Sequence, residues 1–344
     1  MDDVLDVLVV GAGPTGLACA IEAIRASFSV LVVEKGCLVN SLFNYPPGMT
    51  FFTTRERLEI GDIPFASVNV KPTRAEALEY YRGVAEFYHV PAHYQERVVG
   101  IAGSDGNFEI HASAADGVQK CYSTRKVIIA TGYYDIPNLM GVPGEDQPKV
   151  SHYYGEAHAF YQRRVAVIGG ANSAAIAALD LFRHGAEVTI IHWEPELSRH
   201  IKYWIRPDIE NRIKEGSIRA YLESSVKEIT SDAVWIETAQ GEPIRIENDY
   251  VYALTGYHPD FDFLRKAGIE VDHRTSRPAC STKTRESNVQ GIYLAGVVIS
   301  GRHTNEIFIE NGRFHGKQII ADVQKHLGVR TPKQKEVEPP ELLD

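Results

Sequence analysis

The chain has 344 residues, 44% of them hydrophobic, enough to build two separate cores. Its net charge of −9 excludes nucleic acid and anionic membrane surfaces as natural partners. No apolar run nears the roughly 18 residues that span a bilayer; the acidic start Met1-Asp2-Asp3 is unlike a secretory leader. Four cysteines form no CxxC pair and no metal-ligand spacing, so a reduced, cytoplasmic protein is expected.

In chain order, the first expected element is a strand over Asp6–Val10, followed by the turn Gly11-Ala12-Gly13-Pro14-Thr15-Gly16. A helix over Gly16–Ala26 and a strand over Val30–Val33 come next, closed by Glu34, 18 positions after Gly16. A carboxylate there can accept hydrogen bonds from an adenosine ribose. Val39–Thr54 breaks all periodicity at Asn40, Asn44, Pro46, Pro47 and Gly48. Its aromatics Phe43, Tyr45, Phe51 and Phe52 make it either a cover for a flat ligand or a packed surface loop. A helix is expected over Arg74–Tyr88 and strands over Val98–Ala102 and Phe108–Ala112. A buried strand then runs from Lys126 into Ala130-Thr131-Gly132.

A second unit repeats the opening pattern. Its strand Val165–Ile168 leads into Gly169-Gly170-Ala171-Asn172-Ser173-Ala174, a helix over Ala174–His184 and a strand over Val188–Ile191. Tyr250–Gly256 then echoes the earlier strand that ended in Thr131-Gly132. The Thr-Gly ends are natural crossing points, so the second domain is expected to be inserted into the first. The expected division is 1–135 with 256–330, then 136–255, with a flexible tail at 331–344. Gly291–Ala295 forms a last strand that enters Gly296, and a helix is expected over Thr304–Val323. That helix either points its N-terminus at a ligand edge where negative charge develops or simply packs on the sheet.

Each glycine turn lies between a short strand and an alanine-rich helix. In that setting, backbone N–H groups and a helix N-terminus meet a pyrophosphate. Two such turns, 158 positions apart, imply two dinucleotides on one chain. The simplest such protein is a flavoprotein that takes electrons from a nicotinamide. The expected fold class is α/β with two Rossmann-like domains.

Several longer stretches carry a family signature. They are Val39-Asn40-Ser41 with Tyr45-Pro46, Thr50-Phe51-Phe52, Arg57–Asp62, Ala130–Asp135, Gly141–Asp146, Thr255–Asp260 and Asn305–Gly316. Together with the paired turns, they resemble the thioredoxin reductase type of flavoprotein, and more closely the bacillithiol-disulfide reductase family. The resemblance runs from near residue 7 to near residue 320. It implies FAD in the first domain, NADPH in the inserted domain, and reduction of bacillithiol disulfide to the thiol in the cytoplasm. On it, FAD would be held by Gly11, Gly13, Pro14, Thr15, Gly16, Glu34, Lys35, Asn40, Tyr45, Phe51, Phe52, Thr131, Gly132, Gly296, Val297, Glu306 and Ile307. The nicotinamide dinucleotide would be held by Gly169, Gly170, Ala171, Asn172, Ser173, Ala174, Arg199 and Lys202. A homodimer or higher homo-oligomer is the family-level expectation.

Three departures from the family pattern matter. Thr15 stands where the family usually has a cysteine, and a hydroxyl cannot replace a thiolate in disulfide exchange. Either the flavin acts directly on the disulfide or the substrate differs. No CxxC exists, so a dithiol relay to a protein disulfide is not expected. Ala171 occupies the middle-glycine position, and His192-Trp193-Glu194 follows the strand without the adjacent arginines of thioredoxin reductases. Arg199 and Lys202 can neutralise a 2′-phosphate while Glu194 can favour NADH; NADPH is the expected donor, with NADH the alternative.

Cys19 is expected to be a small buried residue, and Cys37, Cys121 and Cys280 inert thiols. His258 and His315 are candidates for a flavin-side proton donor or for structural hydrogen bonds. The leading expectation is an FAD-dependent NAD(P)H oxidoreductase acting on a low-molecular-weight disulfide. The alternative is a ferredoxin or flavodoxin reductase acting on a small electron-carrier protein, which calls for a basic docking face. A flavin-binding sensor without turnover is a third reading.

Overall fold

The computed structural model describes residues 4–329, so the expected tail at 331–344 lies outside the described residues. The chain divides into two compact units. One takes the described residues up to Asn44, Thr50–Ile136 and the described residues from His258 onward. The other takes Tyr45–Met49 and Pro137–Tyr257. The second unit is thus inserted into the first.

In chain order the first unit opens with β1 (Leu5–Val10), α1 (Pro14–Arg25), β2 (Val30–Val33), the short α2 (Asn40–Phe43) and α3 (Arg74–Phe87). Then follow β3 (Ala92–His93), β4 (Glu96–Ser104), β5 (Asn107–Ala114), β6 (Gln119–Ile129) and β7 (Ile136–Pro137). Strands β3, β2, β1 and β6 lie side by side in parallel, and β5 and β4 continue the sheet antiparallel. β1 and β2 read as unbroken apolar runs because both sheet faces are covered. Leu8, Val10, Leu31 and Val33 pack with Phe108 and Ile110 on one side. Val7, Val9, Val30 and Val32 face Cys19, Ala20 and Ala23 of α1 on the other. α3 begins with a capping box in which Thr73 and Glu76 satisfy each other's backbone N–H groups.

The second unit contains β8 (Val150–Ser151), β9 (Arg164–Ile168), α4 (Asn172–Arg183), β10 (Glu187–Ile191), α5 (Arg206–Lys214) and β11 (Arg219–Tyr221). A meander of β12 (Ser225–Ile229), β13 (Ala233–Glu237) and β14 (Pro243–Glu247) precedes β15 (Tyr250–Ala253). The parallel order is β11, β10, β9, β15, β8. Helix α4 covers one face of this sheet with Ala174, Ala177, Ala178 and Leu181. The meander covers the other with Val234, Ile236 and Ile246.

β16 (Tyr257–His258) pairs with β7 where the chain returns, and α6 (Phe261–Lys266) and β17 (Ile292–Leu294) follow. β17 joins the first sheet beside β6, in register with Val127–Ile129. The last elements are α7 (Ile309–Gly312) and α8 (His315–Leu327). The single helix expected over Thr304–Val323 is therefore broken. Asn311 turns its side chain back, accepting from the Phe308 N–H at 2.8 Å and donating to the Glu306 carbonyl at 3.0 Å. Residues 304–308 stay non-helical, and the long helix starts only at His315. α8 then lies close on α1, because a Cβ on Gly316 would come within 2.9 Å of the Ala18 carbonyl oxygen.

Candidate functional site

The first glycine turn is shaped by its neighbours. Gly11 has φ +106°, and a Cβ there would lie 2.7 Å from the Ala130 carbonyl oxygen. A Cβ on Gly16 would lie 2.0 Å from the Gly11 carbonyl oxygen. A side chain on Gly13 would meet nothing within 4 Å, so the middle glycine serves no packing need inside the protein. α1 starts there with Pro14 in its first turn and no side-chain cap. Its first N–H groups have no partner inside the helix, the arrangement in which a helix N-terminus suits an anion.

Glu34 closes β2 and is buried. Its carboxylate accepts the Ala12 N–H at 2.7 Å and the Gly36 N–H at 2.8 Å. Burial raises its pKa, against the pull of these two donors. Lys35 pairs with Asp135 at 2.5 Å. Asn40 begins α2 and crowds Gly36, where a Cβ would sit 2.2 Å from Asn40 Oδ1. Phe51 is buried and its N–H donates to the Pro72 carbonyl at 2.9 Å, while Phe52 is exposed. Tyr45 groups with the second unit.

The closing strand comes to the same turn. Gly296, with φ +79°, lies against Thr15: a Cβ there would be 3.2 Å from Thr15 Oγ1. Gly312 approaches the same hydroxyl, with a Cβ placed at 2.9 Å from Oγ1 and 3.6 Å from Ile307 Cγ2. Thr15, Gly296, Ile307 and Gly312 thus converge. Val297 follows Gly296 in a 3₁₀ turn, and both Glu306 carboxylate oxygens are taken by Arg277 at 2.6 Å. Gly132, after Thr131, adopts φ +72°.

His315 at the start of α8 accepts the Gly296 N–H on Nδ1 at 3.0 Å. Burial pushes its pKa down to about 4, so the ring is neutral near pH 7. His258 instead donates from Nδ1 to the Pro259 carbonyl at 2.7 Å and stacks on Phe261. Both candidate histidines therefore carry structural hydrogen bonds.

The second turn repeats this plan with changes. Gly169 has φ +134° and would place a Cβ 2.6 Å from the Leu254 carbonyl oxygen. Ala171, extended at the N-cap, precedes an α4 that also lacks a side-chain cap, with Asn172 and Ser173 in its first turn. Ala174 fills the position of the third glycine and is buried. Residues 198–202 are clipped to the turn: Ser198 N–H donates to the Gly170 carbonyl at 2.8 Å. Asn172 donates to the His200 carbonyl and accepts the Lys202 N–H, both at 3.0 Å. Arg199 is paired with Glu196 at 3.0 Å.

The ring of His192 packs beneath this turn, a contact not foreseen from the sequence: a Cβ on Gly170 would lie 2.3 Å from its Nε2. The signal was present in the numbering, since 34 and 192 share the 158-residue offset of the two turns. Ala130 and Gly312 were likewise passed over, and only their contacts in the fold reveal them.

No cysteine is activated by its surroundings among those whose thiols are perturbed. Burial raises Cys19 to about 12 and Cys280 to about 11, and raises Cys37 as well. Thiolate chemistry favours the opposite shift. Among the described residues, no helix is long and apolar enough to cross a membrane.

The family model for pyridine nucleotide-disulphide oxidoreductases matches residues 8–296. The chain is 46% identical to the bacilliredoxin reductase Bdr of Bacillus subtilis, across 92% of this chain and 97% of that protein. A solved structure, the bacillithiol disulfide reductase Bdr from Bacillus cereus, matches with a TM-score of 0.92 at 43% identity, covering 94% of this chain and 100% of that one. The ferredoxin–NADP reductase of Ignicoccus hospitalis is more distant, at 27% identity over 85% of this chain and 89% of its own. The chain belongs to the pyridine nucleotide-disulphide oxidoreductase family, as an oxidoreductase that works with a flavin and a nicotinamide dinucleotide.

Proposed function

We propose that this protein is an FAD-dependent reductase of low-molecular-weight disulfides, with bacillithiol disulfide as its acceptor and a reduced nicotinamide dinucleotide as its donor. The observation that carries this reading is the pair of uncapped helix N-termini, each behind a glycine turn, in one chain. Relatives named for bacillithiol disulfide and bacilliredoxin support the acceptor.

A bound flavin supplies two-electron carriage between nicotinamide and disulfide. The protein's own residues bind and orient. The Gly11–Gly16 turn and Glu34 hold the pyrophosphate and ribose of FAD, and the Gly169–Ala174 turn holds the second dinucleotide. Reduction of the disulfide takes two electrons and two protons and yields two thiols. With Thr15 rather than a cysteine at the first turn and the Cys19, Cys37 and Cys280 thiols raised, that S–S bond is broken without a thiol at the first turn. We further propose, from the family resemblance, a cytoplasmic homodimer.

Anaerobic addition of NADH or NADPH to the yellow protein should bleach the flavin, and bacillithiol disulfide should restore its colour. Reoxidation by ferredoxin but not by the disulfide would favour the electron-carrier reading instead. Thr15→Cys should change disulfide turnover by less than about threefold if no thiol relay is used. A large gain would show that a missing thiol limits the reaction.

A further inference from the structure

The two glycine-turn units can be compared atom by atom, because Gly11 N–H donates to the Val33 carbonyl at 2.8 Å and Gly169 N–H to the Ile191 carbonyl at 2.9 Å. The residues that follow these strands are therefore counterparts: Glu34 and His192, Lys35 and Trp193, Gly36 and Glu194. In the first unit the carboxylate at the strand end binds the Ala12 N–H directly. In the second, an imidazole takes that place beneath Gly170, and the carboxylate arrives two residues later. Glu194 Oε2 lies 3.2 Å from His192 Nε2.

This arrangement is held firmly. His192 N–H donates to the Tyr221 carbonyl at 2.9 Å. Ser224 N–H donates to the His192 carbonyl and Glu223 N–H to the Glu194 carbonyl, both at 3.0 Å. His192 is only 6% exposed, and its Nδ1 is buried with no hydrogen-bond partner among the described residues. Beside it, Trp193 is 72% exposed and offers a flat face for a base. The arginine nearest in sequence, Arg199, is already paired with Glu196.

We propose that Glu194, held by His192 beneath the turn, selects the adenosine ribose of the second dinucleotide and favours NADH over NADPH; this rests on the reading that the inserted unit binds a nicotinamide dinucleotide. The ribose hydroxyls of NADH donate hydrogen bonds to a carboxylate. A 2′-phosphate brings about −1.5 to −2 charges toward that same carboxylate; of the two basic residues expected to meet it, Arg199 is already paired with Glu196, which leaves Lys202. The inference departs from the NADPH expected from the sequence. His192 acts as a positioning residue, and Glu194 is the group that discriminates.

The test uses the full-length, FAD-loaded, oxidised protein and isothermal calorimetry with NAD⁺ and NADP⁺, which differ only in the 2′-phosphate. Quenching of Trp193 fluorescence, lost in Trp193→Phe, gives a second readout. NAD⁺ should bind roughly tenfold tighter than NADP⁺. Glu194→Gln should narrow the ratio to about twofold, and Glu194→Arg should invert it. Because the Glu194 side chain is half-exposed, both variants should melt at the wild-type temperature. Equal or tighter NADP⁺ binding by the wild type, or a ratio unmoved by Glu194→Arg, would overturn the proposal while leaving the reductase reading intact. Binding of neither nucleotide would overturn both.

Discussion

The two glycine-turn units share a plan and differ in how tightly it is built. In the first, a Cβ on Gly16 would collide with the Gly11 carbonyl, while the counterpart position in the second carries the side chain of Ala174. Gly13 is open in the first, whereas Ala171 occupies its place in the second. Glu34 binds the turn directly, whereas His192 sits under Gly170 and passes the carboxylate role to Glu194. On the function proposed here, the first turn would hold the cofactor that stays bound and the second, with side chains at both positions, the nucleotide that comes and goes.

The largest expected effect falls on Gly16. Gly16→Ala forces a backbone shift and should cost about 3 kcal/mol of stability, with loss of bound flavin, by thermal melt and absorbance. The mirror change Ala174→Gly should cost only about 1 kcal/mol, the ordinary penalty for glycine in a helix. Equal effects would break the comparison.

Acid should act through His315. Unfolded, its imidazole takes up a proton near pH 6.5; folded, it does so only near 4. Between those values the unfolded chain binds more protons, so stability falls as pH falls from about 6.5 to about 4, by up to about 3 kcal/mol. His315→Gln should flatten that part of a pH-dependent denaturation profile.

Next comes the strand-end pair. Glu34→Ala leaves the buried Ala12 N–H and the half-buried Gly36 N–H without their acceptor and should destabilise the protein by about 2 kcal/mol, with weaker flavin retention. His192→Ala should leave flavin content unchanged and weaken only nicotinamide nucleotide binding. The smallest effect belongs to Ala171→Gly, which should tighten that binding by no more than about threefold in a calorimetric titration.

Most of the fold was legible where burial dictates composition. β1, β2, β9 and β10 run inside sheets covered on both faces, so their valines and isoleucines read as continuous apolar segments. The meander β12–β14 was not foreseen, because its strands are five residues long and carry charges on their outer positions. The irregular start of this segment was hidden too: the apolar period continues through Ile307 and Ile309, while the Asn311 side chain bonds back to Phe308 and Glu306, ahead of the short α7. The glycine turns themselves were plain in the sequence. What fills the space beneath Gly170 depends on where a side chain five residues beyond Glu187 arrives in three dimensions, and periodicity is silent on that.

The most direct test of two cooperating dinucleotide sites is anaerobic absorbance of the purified yellow protein during titration with NADH and NADPH, then bacillithiol disulfide. Loss of the flavin band with a reduced nicotinamide, faster with NADH, followed by its return on adding the disulfide, is the predicted result. A flavin band that neither nucleotide bleaches would contradict the account.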